Sequence, residues 1–240
     1  MKVAVCVSGL MYPDSEERVK NLMGVFPKYD FFFGTWKGRE TEFGKNINVL
    51  LFDEFQPKYH PYFDTGYTWP PSLRQVTKKL QNSTREAVIL DKSKSLHQTK
   101  QIIIHSYMLD SLPKEYDMIV RTRFDINLFN KSIPFEKLLQ DSYNTNKAIG
   151  FHPKSSVKNR GPSHWKTKKD GYLFDNMIFH PKNLFNKEKM WNLHNTNKLL
   201  AAEFGWYQVL SDPNNNHDCY YADISVTREL RDYNKGFHKN

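Results

Sequence analysis

The sequence predicts an α/β fold in which a mixed, mainly parallel sheet is flanked by helices. Three observations predict it. Short apolar runs that suit buried strands recur at Lys2–Val7, Tyr29–Gly34, Ile47–Phe52 and Tyr116–Asp125. Segments with apolar residues at helical spacing stand beside them, at 15–26 and at His97–Leu112. No repeat and no linker divides the 240 residues, so one domain is expected over 1–240.

The elements follow in order. Lys2–Val7 ends in Ser8-Gly9. Asp14 and Ser15 offer helix caps, Glu16 and Glu17 suit a first turn, and Val19, Leu22, Met23 and Phe26 share a face until Pro27 stops the helix. Two strands follow, Tyr29–Gly34 and Ile47–Phe52. Residues 53–73 hold four prolines and many aromatics without a period, and read as a long functional loop. Arg74–Leu80 suits a short helix. His97–Leu112 is a helix closed by Pro113, and Tyr116–Asp125 is the best-defined strand. Phe135–Leu139 suits a short helix and Ala148–Phe151 a strand. Residues 152–171 form a basic loop carrying Lys154, Lys158, Arg160, Lys166, Lys168 and Lys169. Leu173–His180 reads as a strand, Lys187–Leu193 and Asn197–Leu210 as helices, and Tyr220–Val226 as a last strand.

A chain of this length buries roughly 70–75% of its unfolded surface and needs no staple to fold. Its two cysteines, Cys6 and Cys219, fit a reducing compartment and exclude a disulfide scaffold. The N-terminus lacks a basic head and a long apolar run, and no stretch approaches the ~18 apolar residues of a membrane span. A cytoplasmic protein with at most peripheral membrane contact is expected. The net charge of +9, from 35 basic and 26 acidic residues, suits an anionic partner such as a nucleoside diphosphate. No RNP, helix-turn-helix, KH or zinc-finger pattern appears, so a nucleic-acid-binding module is the weaker reading. No Gly-x-x-x-x-Gly-Lys-Ser/Thr loop or Gly-x-Gly-x-x-Gly fingerprint appears either.

Side chains alternate along a strand. In Tyr116–Asp125 this places Ile119, Arg121, Arg123 and Asp125 on one face. Ligands of open α/β sheets bind outside the carboxyl ends of the strands. Arg121 and Arg123 can pair with phosphate oxygens, and Asp125 can hold a hard divalent cation, Mn2+ or Mg2+.

The segment Tyr-Asp-Met-Ile-Val-Arg-Thr-Arg-Phe-Asp (116–125) resembles the "YD-apolar-apolar-R-x-R-x-D" segment of WavE-like lipopolysaccharide and capsule glycosyltransferases. Three further segments resemble that family in the same order. Val5–Leu10 is similar to its first strand and nucleotide-contacting turn, Tyr29–Trp36 to its "D-x-F-x-x-T-W" strand, and Phe174–Phe179 to its acceptor-facing strand. The resemblance covers roughly residues 1–210 and implies a GT-A-like, Rossmann-type mixed sheet. It implies a nucleotide-diphosphate sugar donor, and a glycan or lipid-linked acceptor. It also implies a donor-binding half over 1–125 and an acceptor-side half over 126–240. Ser8, Gly9, Leu10, Gln98, Arg121 and Arg123 fall at nucleotide-sugar positions, and Asp125 stands where a DXD motif sits near metal and diphosphate. Two residues depart from the pattern: Tyr12 replaces an Arg, and Arg123 replaces the first acidic residue of the DXD.

Transfer from a nucleotide sugar needs stabilisation of the leaving diphosphate and, for inversion, a base near the acceptor hydroxyl. Asp175 is the first candidate base, a carboxylate set in an apolar strand, and Glu203 the second, on the helix Asn197–Leu210. His217 is the candidate to complete a cation site with Asp125. A nucleotidyltransferase acting on sugar phosphates uses similar carboxylates and is the alternative enzyme class.

Overall fold

The structure is a computed structural model. It describes residues 1–55, 99–128, 133–153, 173, 175–196, 199, 202–211, 220–224 and 226–227. For 127, 152–153, 202–204, 220–224 and 226–227 it describes the backbone alone.

The expected sheet is present. In chain order the elements are β1 (Val3–Ser8), α1 (Ser15–Val25), β2 (Asp30–Trp36), α2 (Glu42–Asn46) and β3 (Val49–Phe52). A helix covering 99–111, α3, follows. Then come β4 (Met118–Thr122), β5 (Asn127–Leu128), α4 (Phe135–Thr145), β6 (Ile149–Pro153) and β7 (Met177–Pro181). The helices α5 (Lys187–Asn195) and α6 (Ala202–Leu210) and the strands β8 (Tyr220–Ile224) and β9 (Val226–Thr227) complete the order. Seven strands form one sheet in the order β3-β2-β1-β4-β7-β6-β8, and β5 pairs with β9 in a second. Strands β3, β2, β1 and β4 run parallel, β7 runs against β4, β6 against β7, and β8 parallel to β6.

The strand periodicity explains how the layers close. All six residues of β1 are buried, because both faces of this central strand are covered. Val3, Val5 and Val7, with Met118 and Val120 beside them, meet Val19, Leu22 and Phe26 at α1 and Phe135 and Leu139 of α4. Ala4, Cys6 and Ile119 point the other way, onto Met108 and Leu112. Burying each such Val is worth about 1.5–3 kcal/mol. Cys6 is a core residue as expected, and burial pushes its thiol up to about 12.

Several local expectations need correction. Met23 does not join the buried face of α1; it is exposed. Ser15 does not cap the helix by side chain but accepts a hydrogen bond from the Tyr12 amide, and Asp14 pairs with Arg18 instead. The helix expected over Phe135–Leu139 runs on to Thr145, where Asn146 closes it in the left-handed conformation. The short helix α2 fills the gap before β3, and β3 begins at Val49 rather than Ile47. The strand Tyr116–Asp125 is shorter than expected: β4 ends at Thr122, and residues 124–125 form a turn. The strand expected from Leu173 begins at Met177. Most of the 53–73 loop, the helix over Arg74–Leu80, the six lysines and arginines of the basic loop and Cys219 lie outside the described residues. Among the described residues, no helix is long and apolar enough to cross a membrane.

Candidate functional site

The strand order fixes where a ligand site belongs. From β1 the chain builds outward through β2 to β3, then returns to place β4 on the other side of β1. The connections therefore diverge between β1 and β4, and a crevice opens outside their carboxyl ends. That crevice is present, with a volume of about 190 Å³. Ser8, Gly9 and Leu10 line it from the end of β1, and Arg123 and Asp125 from the end of β4. Trp36 lines it from β2, Glu54 from just beyond β3, and Lys100, Gln101 and Ile104 from α3.

The floor of the crevice is a tight turn. Gly9 has φ +126°, a conformation open essentially to glycine alone. Its N–H donates to Gly34 O at 3.1 Å, and its carbonyl accepts from Thr35 Oγ1 at 2.8 Å. The end of β2 thus clamps the turn that ends β1. A Cβ on Gly9 would meet nothing within 4 Å, so Gly9→Ala isolates backbone strain. It is expected to lower the unfolding free energy by about 1–3 kcal/mol in a urea titration. A variant as stable as the parent would show that the turn relaxes freely. Beside the turn, Ser8 is almost fully buried and its hydroxyl has no partner among the described residues. Such an orphaned group is costly unless a ligand or water satisfies it.

The wall at β4 is an ion network centred on Arg123. Its Nε and NH2 donate to the two oxygens of Asp125, both at 2.7 Å, and its NH1 donates to Asp175 Oδ2 at 3.0 Å. The side chains of Arg123, Asp125 and Asp175 are 11%, 18% and 9% exposed, so the network is largely shielded from water. Burial works against the Arg123 charge, but Asp125 and Asp175 outweigh it and hold the pKa above the ordinary arginine value. The turn is fixed from a distant part of the chain. Arg18 of α1, itself paired with Asp14, donates through NH1 to the Asp125 carbonyl at 3.2 Å.

Arg121 behaves differently from the expectation. Alternation does aim it at the same segment as Arg123, but its side chain is completely buried beneath the crevice and does not line it. Its NH1 donates to the Asp175 carbonyl, its NH2 donates to Gln101 Oε1 at 2.8 Å, and its Cζ lies 4.5 Å from the Trp206 ring centroid. Burial pulls the guanidinium down to about 9, which still leaves it a cation at neutral pH. Its role in this geometry is to hold the Asp175 segment and α3 against β4. A direct diphosphate contact by Arg121 does not fit this burial.

The expectation that Asp175 sits in a strand needs correction. It lies in the bend before β7, buried and paired with Arg123. Ser8, Gly9, Leu10, Arg123 and Asp125 line one crevice, and Asp175 joins them through Arg123. Glu203 is placed on α6 by its backbone alone, and Gln98 and His217 lie outside the described residues. A divalent cation at Asp125 fits poorly, because the Arg123 guanidinium already spans both carboxylate oxygens and would lie beside the second positive charge. Among the described residues, no group of three His, Cys, Asp or Glu side chains converges on a metal position. Lys100, Gln101, Trp36 and Glu54 are site residues that the sequence reading missed. Glu54 lies two residues past the end of β3, a position that could have pointed to it.

No protein-family model matches the chain, and no curated protein matches it. The WavE-like resemblance therefore stands on its four segments. Solved structures similar in chain course include galactosyltransferase LgtC in complex with donor and acceptor sugar analogs. It is 10% identical, with a TM-score of 0.42 over 92% of this chain and 73% of that one. A Drosophila β1,4-galactosyltransferase 7 complex with manganese, UDP-Gal and xylobiose is 8% identical, with a TM-score of 0.43 over 98% and 73%. A 4-diphosphocytidyl-2C-methyl-D-erythritol synthase from Anaerococcus prevotii is 10% identical, with a TM-score of 0.44 over 93% and 88%. Likeness at this level carries no residue correspondence.

Proposed function

We propose that this protein is a glycosyltransferase that moves a sugar from a nucleoside-diphosphate sugar to a hydroxyl of a glycan or lipid-linked acceptor. The observation that carries this reading is the crevice at the β1–β4 divergence. It brings together a glycine turn, a buried Ser8 hydroxyl with no hydrogen-bond partner among the described residues, and the Arg123 guanidinium. Close backbone approach at Gly9 and hydrogen bonding by Ser8 suit phosphate oxygens. A guanidinium suits the charge that grows on a departing diphosphate. The four-segment resemblance supports the same assignment. On this reading the donor half is 1–125 and the acceptor half 126–240.

Each residue has a distinct task. Three of the five Arg123 N–H donors serve carboxylates, and a diphosphate that draws the guanidinium toward itself takes over part of the Asp125 or Asp175 bonding. A carboxylate released from Arg123 becomes a stronger acceptor. Asp175 then takes the acceptor proton as the new C–O bond forms and the bond from sugar carbon to phosphate oxygen breaks. Arg121 keeps the Asp175 backbone in place during this exchange, since its NH1 grips the carbonyl rather than the carboxylate.

A thermal-shift screen of nucleoside diphosphates and their sugar conjugates tests the reading. At a ligand concentration of about 100 Kd, the stabilisation is about 2.7 kcal/mol, or about 5–10 °C in Tm for a chain of this size. The expected result is such a rise with one base, together with release of that nucleoside diphosphate from its sugar conjugate. No shift with any nucleotide in a folded sample sinks the reading. A response confined to nucleoside triphosphates and sugar phosphates replaces it with nucleotidyl transfer.

A further inference from the structure

Opposite the anion seat, the same crevice carries an ion group that the transfer step does not use. Glu54 accepts from Lys100 Nζ at 2.7 Å on Oε1, and Arg39 NH2 lies 3.6 Å from Oε2. Lys100 is 7% exposed and Glu54 25%, so the carboxylate, not the ammonium, is the more open partner. Aromatic anchors bracket Glu54 in the chain. Phe52 packs on Tyr107 at 5.6 Å between centroids, and Phe55 packs on Trp191 at 5.6 Å and His194 at 5.1 Å. The carboxylate is therefore held at the crevice from both sides of its own backbone.

We infer that Glu54, braced by Lys100 and Arg39, accepts hydrogen bonds from a vicinal pair of hydroxyls on the bound nucleotide sugar. This deepens the donor-site reading and rests on it. An ionised carboxylate offers about four lone-pair directions. The Lys100 and Arg39 contacts occupy two, and the others remain for a ligand. The hydrogen bond from Lys100 pulls the Glu54 pKa below the usual value against the effect of burial, which keeps the acceptor charged. A phosphate beside this carboxylate is repelled, so the diphosphate settles toward Arg123, Ser8 and Gly9. The part of the donor left for Glu54 is neutral and rich in hydroxyls. Two donor groups share that chemistry: the ribose and the transferred sugar.

The test compares wild type with Glu54→Gln, which keeps an oxygen for Lys100 but loses the charge. Calorimetric Kd values are measured for a nucleoside diphosphate, its 2′-deoxy counterpart and its sugar conjugate. If Glu54 reads the ribose, wild type prefers the ribonucleotide by at least about tenfold and the variant loses that preference. If it reads the transferred sugar, the gain in affinity from adding the sugar disappears in the variant while the ribose preference stays. If Glu54→Gln changes neither ratio, the inference is overturned while the glycosyltransferase reading stands. No binding of any nucleotide to folded wild-type protein overturns both.

Discussion

Replacing Arg123 by Met is expected to destabilise the fold by about 3–5 kcal/mol and to abolish binding of nucleoside diphosphates. The cost arises because Asp175, buried, and Asp125, largely shielded, are left as carboxylates without their shared cation. Loss of an exposed surface pair would cost about 0–1 kcal/mol, so the size of the effect reports the shielding of this network. A destabilised variant alone would not separate stability from binding. Adding Asp125→Asn and Asp175→Asn removes the stranded charges, and the triple variant should recover most of the lost stability. It should not recover nucleotide affinity, because the anion seat itself is gone. Urea titrations measure the first quantity and calorimetry the second. A single variant as stable as wild type would show the ion network to be unimportant for folding. A triple variant that binds nucleotide as wild type does would move the diphosphate away from Arg123.

The same network shows what was legible in the sequence and what was not. The strands β1 and β4 could be read because both lie in the middle of the sheet, where continuous apolar runs are required. The end of β4 was overshot because the burial alternation continues past it: Phe124 packs in the same cluster as Val120. What bends the chain there includes Arg18 gripping the Asp125 carbonyl, a contact spanning 107 residues that no local pattern encodes. Arg121 and Arg123 look equivalent in the sequence. They part company because Arg121 is enclosed by Gln101, the Asp175 carbonyl and Trp206, all far from it in the chain. Asp175 stands out in the sequence as a carboxylate within an apolar run, but its partner Arg123 lies 52 residues away. Glu54 and Lys100 join the site only once the sheet order is known.

The fold is also expected to lose stability steeply as pH falls below about 6.5, through His105 and His180. Both imidazoles are completely buried on the α3 face of the sheet, with Nε2 atoms 3.0 Å apart. His180 Nδ1 lies 2.8 Å from the Pro181 carbonyl, so that nitrogen carries the proton and Nε2 is the acceptor. His105 must then donate from its own Nε2, which leaves its buried Nδ1 as a bare acceptor with no partner among the described residues. A proton added to His180 sets two Nε2–H donors against each other. If His105 switches tautomer to relieve this, its new Nδ1–H finds no acceptor among the described residues. Burial pulls His180 down to about 4, with the Pro181 carbonyl opposing and nearby Arg121 adding to the effect. Burial, then His180, then Arg121 pull His105 well below its ordinary value.

The sign follows from proton counting. Between about pH 6.5 and the folded values, the unfolded chain binds these protons and the folded chain does not. Stability is therefore fully present above about pH 6.5 and falls as pH drops, by about 1.4 kcal/mol per pH unit for each imidazole. Urea titrations between about pH 8 and 5 read this slope while staying above most carboxylate titration. The comparison protein carries His105→Leu and His180→Met together, since removing both members of a buried polar pair leaves fewer orphaned groups than removing one. The other histidines are common to both proteins and cancel in the difference. The expected outcome is a slope about 2.7 kcal/mol per pH unit shallower in the double variant. Equal slopes would mean that the pair takes up protons in the folded state at its ordinary pKa. The packing of Trp206 against both His105 and Arg121 would then have to tolerate an added positive charge.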